Sequence, residues 1–284
     1  FMSTIADGFK LSNQVFIPCM GLGTRQLQPT PEMQALLTEA VRAGYRRFDT
    51  ASAYGNERIL GSVLSRCGID RSEFFISSKL WVTDRSRQAV ISAFEKTLEN
   101  LGLEYLDLYL IHWPETHGDA ISWQSINAGT WRVLEELYKS GRVRAIGVCN
   151  FLTHHLVPLL ARASVPPMVN QLEFHPGYWQ KSTVDFCIKH DIHVTAWGPT
   201  GRRDVMPDPK LETIAKRHGV TPAQVALRWC LQHGVSVLPR TMNPADLPVF
   251  ADVFNLRLNV REMTEIDSLP LSCFSGLDPD RVSF

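Results

Sequence analysis

Four side chains that can carry or stabilise a proton lie at or just after the ends of short apolar runs. Asp49, Lys79 and His112 lie at the ends of three such runs, and Tyr54 follows Asp49 by five positions. Each residue alone has an ordinary structural explanation, such as a helix cap, a packed ring or a solvated amine. Together, a carboxylate, a phenol, an amine and an imidazole are the groups of general acid–base catalysis. We therefore treat them as one candidate catalytic set.

The elements that would position this set are short strands alternating with amphipathic helices. Eight apolar runs have the composition of buried parallel strands, at residues 19–23, 46–49, 74–80, 106–112, 144–149, 168–173, 193–197 and 236–239. Apolar residues three and four positions apart predict helices at residues 85–101, 130–140, 153–163 and 181–190. Two further helices have readable starts at Thr30-Pro31 and Thr221-Pro222, and the second should end near His233, before Gly234.

This alternation predicts an α/β fold, a (β/α)8 TIM barrel. Eight units of roughly 35 residues fill residues 1–284 as a single domain, since no linker interrupts the chain. Residues 10–15 should form a short N-terminal hairpin below the barrel floor. A doubly wound sheet is the alternative, but residues 21–26 (GLGTRQ) lack the third glycine of its dinucleotide motif. In a barrel, the carboxyl ends of the strands meet at one rim, which would bring the four side chains together.

The composition excludes several classes of protein. The chain has 29 basic and 29 acidic residues and a pI near 7.3, which argues against broad binding of nucleic acid or a membrane surface. Charge interrupts every long apolar segment, so we predict no membrane span. The six cysteines are scattered, which favours reduced thiols and a cytoplasmic location. The nine histidines show no metal-ligand spacing, and we predict no metal site.

Several blocks of the sequence resemble the aldo-keto reductase superfamily in order and spacing. They are residues 44–57 (GYRRFDTASAYGNE), 78–81 (SKLW), 106–114 (LDLYLIHWP), 147–151 (GVCNF) and 170–176 (NQLEFHP). The resemblance covers residues 10–270, and such a series is more specific than any single motif. With residues 196–199 (AWGP), the chain is most similar to the microbial branch containing 2,5-diketo-gluconate reductases and prostaglandin F synthase-like enzymes.

The resemblance implies an oxidoreductase that reduces aldehydes or ketones to alcohols with NAD(P)H. The reaction needs a hydride at carbon and a proton at the developing alkoxide. The resemblance implies that Tyr54 is the acid, that Lys79 tunes it and that Asp49 holds Lys79. His112 would hydrogen-bond the carbonyl oxygen. Because a nearby ammonium favours the phenolate, we expect Lys79 to lower the pKa of Tyr54 from about 10 by about two to three units.

The resemblance also implies a nicotinamide site on the same rim. Trp197 matches a position whose ring stacks on the nicotinamide, while Asn150 and Gln171 match positions that hydrogen-bond its carboxamide. The implied cofactor-binding residues are Thr24, Asp49, Cys149, Asn150, Gln171, Trp197, Gly198, Arg240 and Thr241. Cys149 replaces the serine usual in the family, which is expected to weaken one hydrogen bond.

The segment expected to bind the adenosine end departs from the family pattern. The family normally has Pro-Lys-Ser and then an arginine six positions past the lysine, both serving a 2′-phosphate. Residues 239–246 here read PRTMNPAD. Arg240 and Thr241 can still bind a phosphate, and a helix starting near Pro244 would offer its amides, but Asp246 would repel the anion. NADP(H) is therefore favoured, and NAD(H) stays an alternative.

The substrate, a small carbonyl compound, is expected to contact Arg25, Tyr54, His112 and Trp113. Arg25 stands where the family usually has a tryptophan of the pocket wall. It could turn to solvent or a nearby carboxylate, or it could bind a carboxylate or phosphate of the substrate. Arg202 and Arg203 could add charge at the mouth or reach the cofactor pyrophosphate. Residues 114–129 and 272–284 are expected to line the mouth as loops.

Two other kinds of protein are compatible with such a chain. The first is a cofactor-binding sensor or structural protein on this scaffold, like the potassium-channel β-subunits or the lens crystallins of the superfamily. The second is a metal-dependent barrel hydrolase, although the strand ends lack a set of His/Asp ligands. The complete catalytic set favours an enzyme. A monomer is expected because no long apolar surface stripe stands out.

Overall fold

A two-stranded hairpin at the amino terminus precedes the main sheet. The structure, a computed structural model, describes residues 2–201, 208–282 and 284. Strand β1 (Gly8–Lys10) pairs antiparallel with β2 (Phe16–Pro18). The hairpin was expected at residues 10–15, but these residues mainly form its turn, which the Leu11 N–H closes by donating to the Val15 carbonyl over 2.9 Å.

The main sheet has eight parallel strands, as the sequence predicts. They are β3 (Leu22–Gly23), β4 (Arg47–Asp49), β5 (Phe75–Leu80), β6 (Leu106–Ile111), β7 (Val143–Cys149), β8 (Val169–Glu173), β9 (His193–Trp197) and β10 (Ser236–Leu238). Each strand pairs with the next in chain order. Seven of the eight begin and end within one residue of the predicted bounds. Near-continuous burial of β4 to β8 explains their apolar composition, since both faces are covered.

The first barrel strand is shorter than residues 19–23, because the residues before Leu22 contact the last strand instead of β4. Val237 N–H donates to the Cys19 carbonyl over 2.8 Å, and Gly21 N–H donates to the Val237 carbonyl over 2.9 Å. A parallel bridge between Met20 and Val237 lies at the same place. These bonds join the first and last strands and nearly close the barrel.

Helices cover the outside of the barrel. In the described part of the chain they are α1 (Pro31–Arg42), α2 (Glu57–Arg66), α3 (Arg87–Leu101), α4 (Ala120–Lys139), α5 (Thr153–Leu160), α6 (Lys181–Lys189), α7 (Pro209–His218), α8 (Pro222–Gln232), α9 (Asp246–Ala251) and α10 (Val260–Asp267). None of these helices is both long and apolar enough to cross a bilayer. All six cysteines lie in the described part, and none forms a disulfide.

The predicted helix starts agree with the structure. The Thr30 hydroxyl accepts the Met33 N–H, and Pro31 occupies the first position of α1, where its missing N–H costs nothing. Thr221 and Gln224 form a reciprocal capping box at the start of α8. That helix ends at Gln232, just before Gly234, which adopts a φ of +74°.

One helix is longer than its sequence pattern indicates. Helix α4 was expected at residues 130–140, and residues 114–129 were expected to be a loop. The structure starts α4 at Ala120, because the Asp119 carboxylate accepts the Ser122 N–H over 2.9 Å and caps the first turn. The pattern concealed this start, since Ile121 is 77% exposed and the first turns have no apolar face toward the core.

A buried arginine connects the hairpin to the barrel at the amino-terminal ends of the strands. Arg47, the first residue of β4, is fully buried and donates to the Pro18 carbonyl over 2.8 Å and to the Thr195 hydroxyl over 3.0 Å. Burial lowers the pKa of Arg47 to about 10, which still leaves the guanidinium charged at neutral pH. The hairpin therefore lies at the end of the barrel opposite to the catalytic candidates.

Candidate active site

A cavity of about 900 Å³ opens at the carboxyl ends of the barrel strands. Asp49, Tyr54, His112, Gln171 and Trp197 all contribute to its lining, although they come from four different strand ends and one adjoining turn. Polar groups that converge in a concave site at this rim are the arrangement of a barrel enzyme. The structure therefore brings these five predicted residues to one cavity.

An ion pair between Lys79 and Asp49 lies directly behind the cavity wall. The Nζ atom of Lys79 is 2.5 Å from Oδ2 of Asp49, and it also donates to the Thr50 carbonyl over 3.0 Å. The Ser77 hydroxyl donates to the other Asp49 oxygen over 2.7 Å. Burial would lower the pKa of Lys79, but the Asp49 carboxylate and the Tyr54 phenol raise it above its ordinary value. Lys79 is therefore a fixed positive charge.

The ring of Tyr54 lies close to the Lys79 ammonium group. Tyr54 ends a 3-10 turn (Ser52–Tyr54), and Gly55, with a φ of +67°, turns the chain away from it. Lys79 Nζ lies 5.2 Å from the centroid of the Tyr54 ring.

The expected lowering of the Tyr54 pKa is not what the structure shows. Burial raises the pKa of Tyr54 to about 12, and Lys79 opposes this effect only in part because Asp49 offsets its charge. The desolvation of the phenol outweighs the neighbouring ammonium. Tyr54 is consequently held in its protonated form.

The imidazole of His112 forms the opposite side of the same space. Its ring centroid lies 5.6 Å from that of Tyr54 and 5.2 Å from that of Trp81, both with edge-to-face geometry. Burial lowers the pKa of His112 well below its ordinary value, and the positive charges of Lys79 and Arg25 lower it further. The ring is therefore neutral and carries one N–H. Its Nδ1 atom is buried and has no hydrogen-bond partner among the described residues.

Asn150 contacts protein groups that the sequence did not predict. Its amide nitrogen donates to the His112 carbonyl over 3.0 Å, and its oxygen accepts the Trp197 indole N–H over 2.8 Å. Asn150 adopts a φ of +63°, a left-handed conformation that asparagine tolerates better than most residues. Asn150 therefore fixes the orientation of Trp197 relative to His112, and a contact with a carboxamide stays a prediction.

The side chain of Gln171 leaves one hydrogen-bond acceptor unused within the described residues. Its amide nitrogen lies 3.4 Å from Asp49 Oδ2, whereas its Oε1 atom is buried without a partner among the described residues. A buried acceptor without a donor is costly. The N–H of a nicotinamide carboxamide would satisfy it, and the flat ring of Trp197 lines the same cavity. These residues therefore fit the implied cofactor.

Three other predicted cofactor residues differ in position. Cys149 and Gly198 line the cavity, and burial raises the pKa of the Cys149 thiol to about 12, so this group is a neutral thiol. Thr24 is fully buried, and its hydroxyl donates to the Asp49 carbonyl over 2.9 Å. Thr24 thus supports the end of β4 from behind and does not belong to the cavity lining.

The segment expected to bind the adenosine end of the cofactor makes hydrogen bonds to other protein groups. Arg240 donates to the Arg25 carbonyl over 3.1 Å and to the Gln26 side chain over 2.9 Å. The Thr241 hydroxyl donates to Asp246 over 2.5 Å. Helix α9 begins at Asp246, two residues after Pro244, so its first residue is acidic. Arg202 and Arg203 lie outside the described residues.

Arg25 lies in the cavity. Its guanidinium carbon is 5.6 Å from the centroid of the Trp197 ring, and the side chain is half-buried. Trp113 is buried and also lines the cavity. Arg25 and Trp113, the other two predicted substrate residues, thus line the same cavity as Tyr54 and His112.

Sequence reasoning missed several lining residues, among them Trp81, Glu173, His175, Ser275 and Phe284. The positions of Trp81 and Glu173 could have indicated a place at the rim. Trp81 directly follows β5, and Glu173 ends β8. Ser275 and Phe284 lie within residues 272–284, which were expected at the mouth without individual roles. Only contacts across the fold distinguish them from their neighbours.

Comparison with known proteins agrees with this architecture. Residues 19–270 match the model of the Aldo/keto reductase family. The chain is 41% identical over 284 residues to a "Glyoxal reductase" of Bacillus subtilis (strain 168), covering 99% of both chains. It is 40% identical over 273 residues to a "9,11-endoperoxide prostaglandin H2 reductase" of Trypanosoma cruzi, covering 95% of this chain and 94% of the relative.

Solved structures show the same similarity. An aldo-keto reductase from a Medee basin deep-sea metagenome library superposes with a TM-score of 0.92 at 35% identity, covering 98% of this chain and all of the other. A mutant of Gox0644 in complex with NADPH superposes with a TM-score of 0.89 at 36% identity, covering 97% and 98%. The chain belongs to the aldo-keto reductase family. It is an oxidoreductase that acts on carbonyl groups.

Proposed function

We propose that this protein reduces aldehydes or ketones to alcohols with NADPH, with Tyr54 as the proton donor. The observation that carries the proposal is the Asp49–Lys79 ion pair beside the Tyr54 phenol, in one cavity with the neutral ring of His112. The bound nicotinamide supplies the hydride. Trp197 would support its ring, and the Gln171 oxygen would accept from its carboxamide.

The residues of the chain supply the proton and stabilise the charge. Tyr54 keeps its proton until charge develops on the substrate oxygen, because burial raises its pKa to about 12. Lys79 stabilises the phenolate that remains after the transfer, and Asp49 holds Lys79 in place. The neutral His112 donates a hydrogen bond to the carbonyl oxygen and orients it.

NADPH is the favoured cofactor, and NADH is the alternative because of Asp246. Arg240 and Thr241 offer a cation and a hydroxyl near the cavity. The Asp246 carboxylate accepts from Thr241 and would repel a 2′-phosphate brought against that hydroxyl. The structural relative in complex with NADPH supports NADPH for the family.

Arg25 favours substrates that carry an anionic group. Its guanidinium lies in the cavity over Trp197, near the space between Tyr54 and His112. A planar guanidinium binds a carboxylate or phosphate with two parallel hydrogen bonds. Keto acids and their sugar derivatives are therefore the proposed class. The single-domain organisation, the monomeric state and the cytoplasmic location stay predictions from the sequence.

Steady-state turnover tests the proposal. The protein is mixed with NADPH or NADH and with aldehydes, α-keto esters and sugar keto-acids, and cofactor oxidation is followed. We expect multiple turnovers, and we expect Tyr54→Phe to lower the rate about 100-fold or more with cofactor binding retained. Tyr138→Phe, a tyrosine far from the cavity, is the matched control. A single stoichiometric burst without turnover would favour a cofactor-binding sensor, and a Tyr54→Phe enzyme with most of its kcat would refute the role of Tyr54.

A further inference from the structure

Residues 272–282 and 284, called here the tail segment, lie against the substrate side of the cavity. Ser275, Leu277 and Phe284 contribute to the lining. The Phe284 ring centroid is 4.7 Å from that of Trp81 and 5.4 Å from that of Trp113. A carbonyl compound large enough to fill the space between these indoles would therefore contact Phe284.

A buried carboxylate binds Ser275 of this segment to the barrel. Glu173 ends β8 and is 4% exposed. Its Oε1 accepts the Ser275 N–H over 2.8 Å, and its Oε2 accepts the Ser275 hydroxyl over 2.6 Å. The Ser275 oxygen in turn accepts the Leu277 N–H over 3.1 Å. Glu173 thus orders the backbone of the tail segment where it enters the cavity.

A buried histidine contacts the same carboxylate. The ring nitrogens of His175 lie 3.0 Å from Glu173 Oε1 and 3.0 Å from the Pro176 carbonyl oxygen. The Pro176 carbonyl and the Glu173 carboxylate are both hydrogen-bond acceptors, so each ring nitrogen faces an acceptor. His175 is 1% exposed, so the pair is shielded from water. His175 therefore helps to hold the Glu173 side chain in place.

Other contacts hold the tail segment without touching the cavity. Ser272 N–H donates to the Gly177 carbonyl over 3.0 Å, and Asp280 lies 2.8 Å from His154 Nε2 and 3.0 Å from His155 Nε2. The His155 Nδ1 atom accepts the Leu152 N–H, so its Nε2 carries a proton and donates to Asp280. Asp280 is thus held by two neighbouring histidines of helix α5.

We propose that Glu173 is a positioning residue that holds the tail segment over the substrate side of the cavity and so sets the affinity for bulky carbonyl substrates. The inference rests on the proposed function. It follows from two features of Glu173. Its carboxylate accepts hydrogen bonds from both the N–H and the hydroxyl of Ser275, and its backbone lies opposite Trp197 in the parallel sheet. A rigid strand end thereby fixes a wall of the substrate space.

The test compares Glu173→Gln with the wild-type protein. Glutamine keeps the size and one acceptor oxygen, but an N–H2 donor replaces the oxygen that accepts the Ser275 hydroxyl, so the anchor is weakened. We expect the KM for 4-nitrobenzaldehyde to rise about tenfold, the scale of a lost charge-assisted contact, with kcat, the KM for the small dialdehyde glyoxal and the Kd for NADPH within about twofold. Amide hydrogen exchange in residues 272–284 should become faster without any substrate.

Three further variants keep the test decisive. Glu135→Gln is the matched control, since Glu135 is a buried carboxylate that accepts the N–H groups of Ser164 and Val165 away from the cavity. Ser275→Ala removes only the hydroxyl and should shift the same KM by a smaller factor, which decides the matter if Glu173→Gln does not fold. Phe284→Ala should raise that KM without changing exchange at Ser275.

Two results would overturn the proposal. The first is unchanged hydrogen exchange of the tail segment in both Glu173→Gln and Ser275→Ala. The second is an equal loss on 4-nitrobenzaldehyde and glyoxal, which would assign Glu173 to the cofactor or to general stability. If the wild-type protein turned over no carbonyl compound of the full substrate panel, the proposed function would fail, while the exchange measurement would still report on the anchor.

Discussion

The Nζ atom of Lys79 lies 2.5 Å from Asp49 Oδ2, and both side chains are buried. Removing one member of such a pair leaves an uncompensated charge in the protein interior. Breaking the pair therefore affects the stability of the fold as well as the chemistry proposed for Tyr54, and suitable variants separate the two effects.

Lys79→Met should lower kcat by about 100-fold or more, because the phenolate of Tyr54 loses its stabilising charge. It should also destabilise the fold by about 3–5 kcal/mol, since Asp49 is left unpaired. The double variant Lys79→Met/Asp49→Asn should recover most of that stability in urea unfolding and none of the activity. If activity returned with stability, Lys79 would have only a structural role.

Trp197→Ala should weaken NADPH binding by about 1–2 kcal/mol, the scale of an aromatic stacking contact. Trp197→Phe should lose less, because it keeps a ring and gives up only the hydrogen bond to Asn150. Fluorescence titration measures both affinities, with Trp123→Ala as the control. An unchanged Kd in Trp197→Ala would reassign this indole to packing.

Asp246→Arg should raise the preference for NADPH over NADH by about 1–2 kcal/mol, because it replaces a repulsive charge by a charge-assisted contact. Asp246→Asn, which keeps an acceptor for Thr241, should give a smaller change of the same sign, and Arg240→Ala should reduce the preference. The ratio of kcat/KM for the two cofactors is the measurement. Asp252→Arg, after the end of α9, controls for net charge, and identical ratios in all variants would refute this placement of the adenosine end.

Arg25→Trp should lower kcat/KM about 10- to 100-fold for carbonyl substrates that carry a carboxylate or phosphate, equivalent to about 1.5–3 kcal/mol for a charged hydrogen bond. Neutral aromatic aldehydes should be reduced equally well or better. Arg25→Lys keeps the charge without the planar fork and should lie between the two. Equal losses on charged and neutral substrates would show that Arg25 supports the cofactor or the fold.

The buried ring of His155 predicts a loss of stability in acid. Burial and the neighbouring His154 lower the pKa of His155 to about 4, and Asp280 opposes them only in part. Because the unfolded chain takes up this proton near pH 6.5, stability is complete above that pH and falls toward pH 4, by up to about 1.4 kcal/mol per pH unit.

The variant His155→Asn should show a shallower dependence of the free energy of unfolding on pH between 7 and 4.5, measured with urea. Asparagine still offers an acceptor to the Leu152 N–H. Other buried histidines, such as His112, contribute equally to both proteins and cancel in the comparison. Parallel curves would contradict the lowered pKa.

Much of the fold was readable in the sequence because its determinants are local. Apolar runs of strand length, the cap at Thr30 and the stop at Gly234 depend on residues a few positions apart, and seven strands were predicted within one residue. Parallel strands of a barrel present all their carboxyl ends to one rim. The convergence of Asp49, Lys79 and His112 therefore follows from strand order alone.

What only the tertiary structure decided depends on burial and on contacts between distant residues. The pKa of Tyr54 rises because desolvation outweighs Lys79, and no spacing in the sequence reports desolvation. The bond from Trp197 to Asn150 spans 47 positions, and that from Ser275 to Glu173 spans 102. Such pairs form only when the barrel brings separate strand ends and the tail segment together, so their partners, and the charge states that follow, are properties of the folded chain.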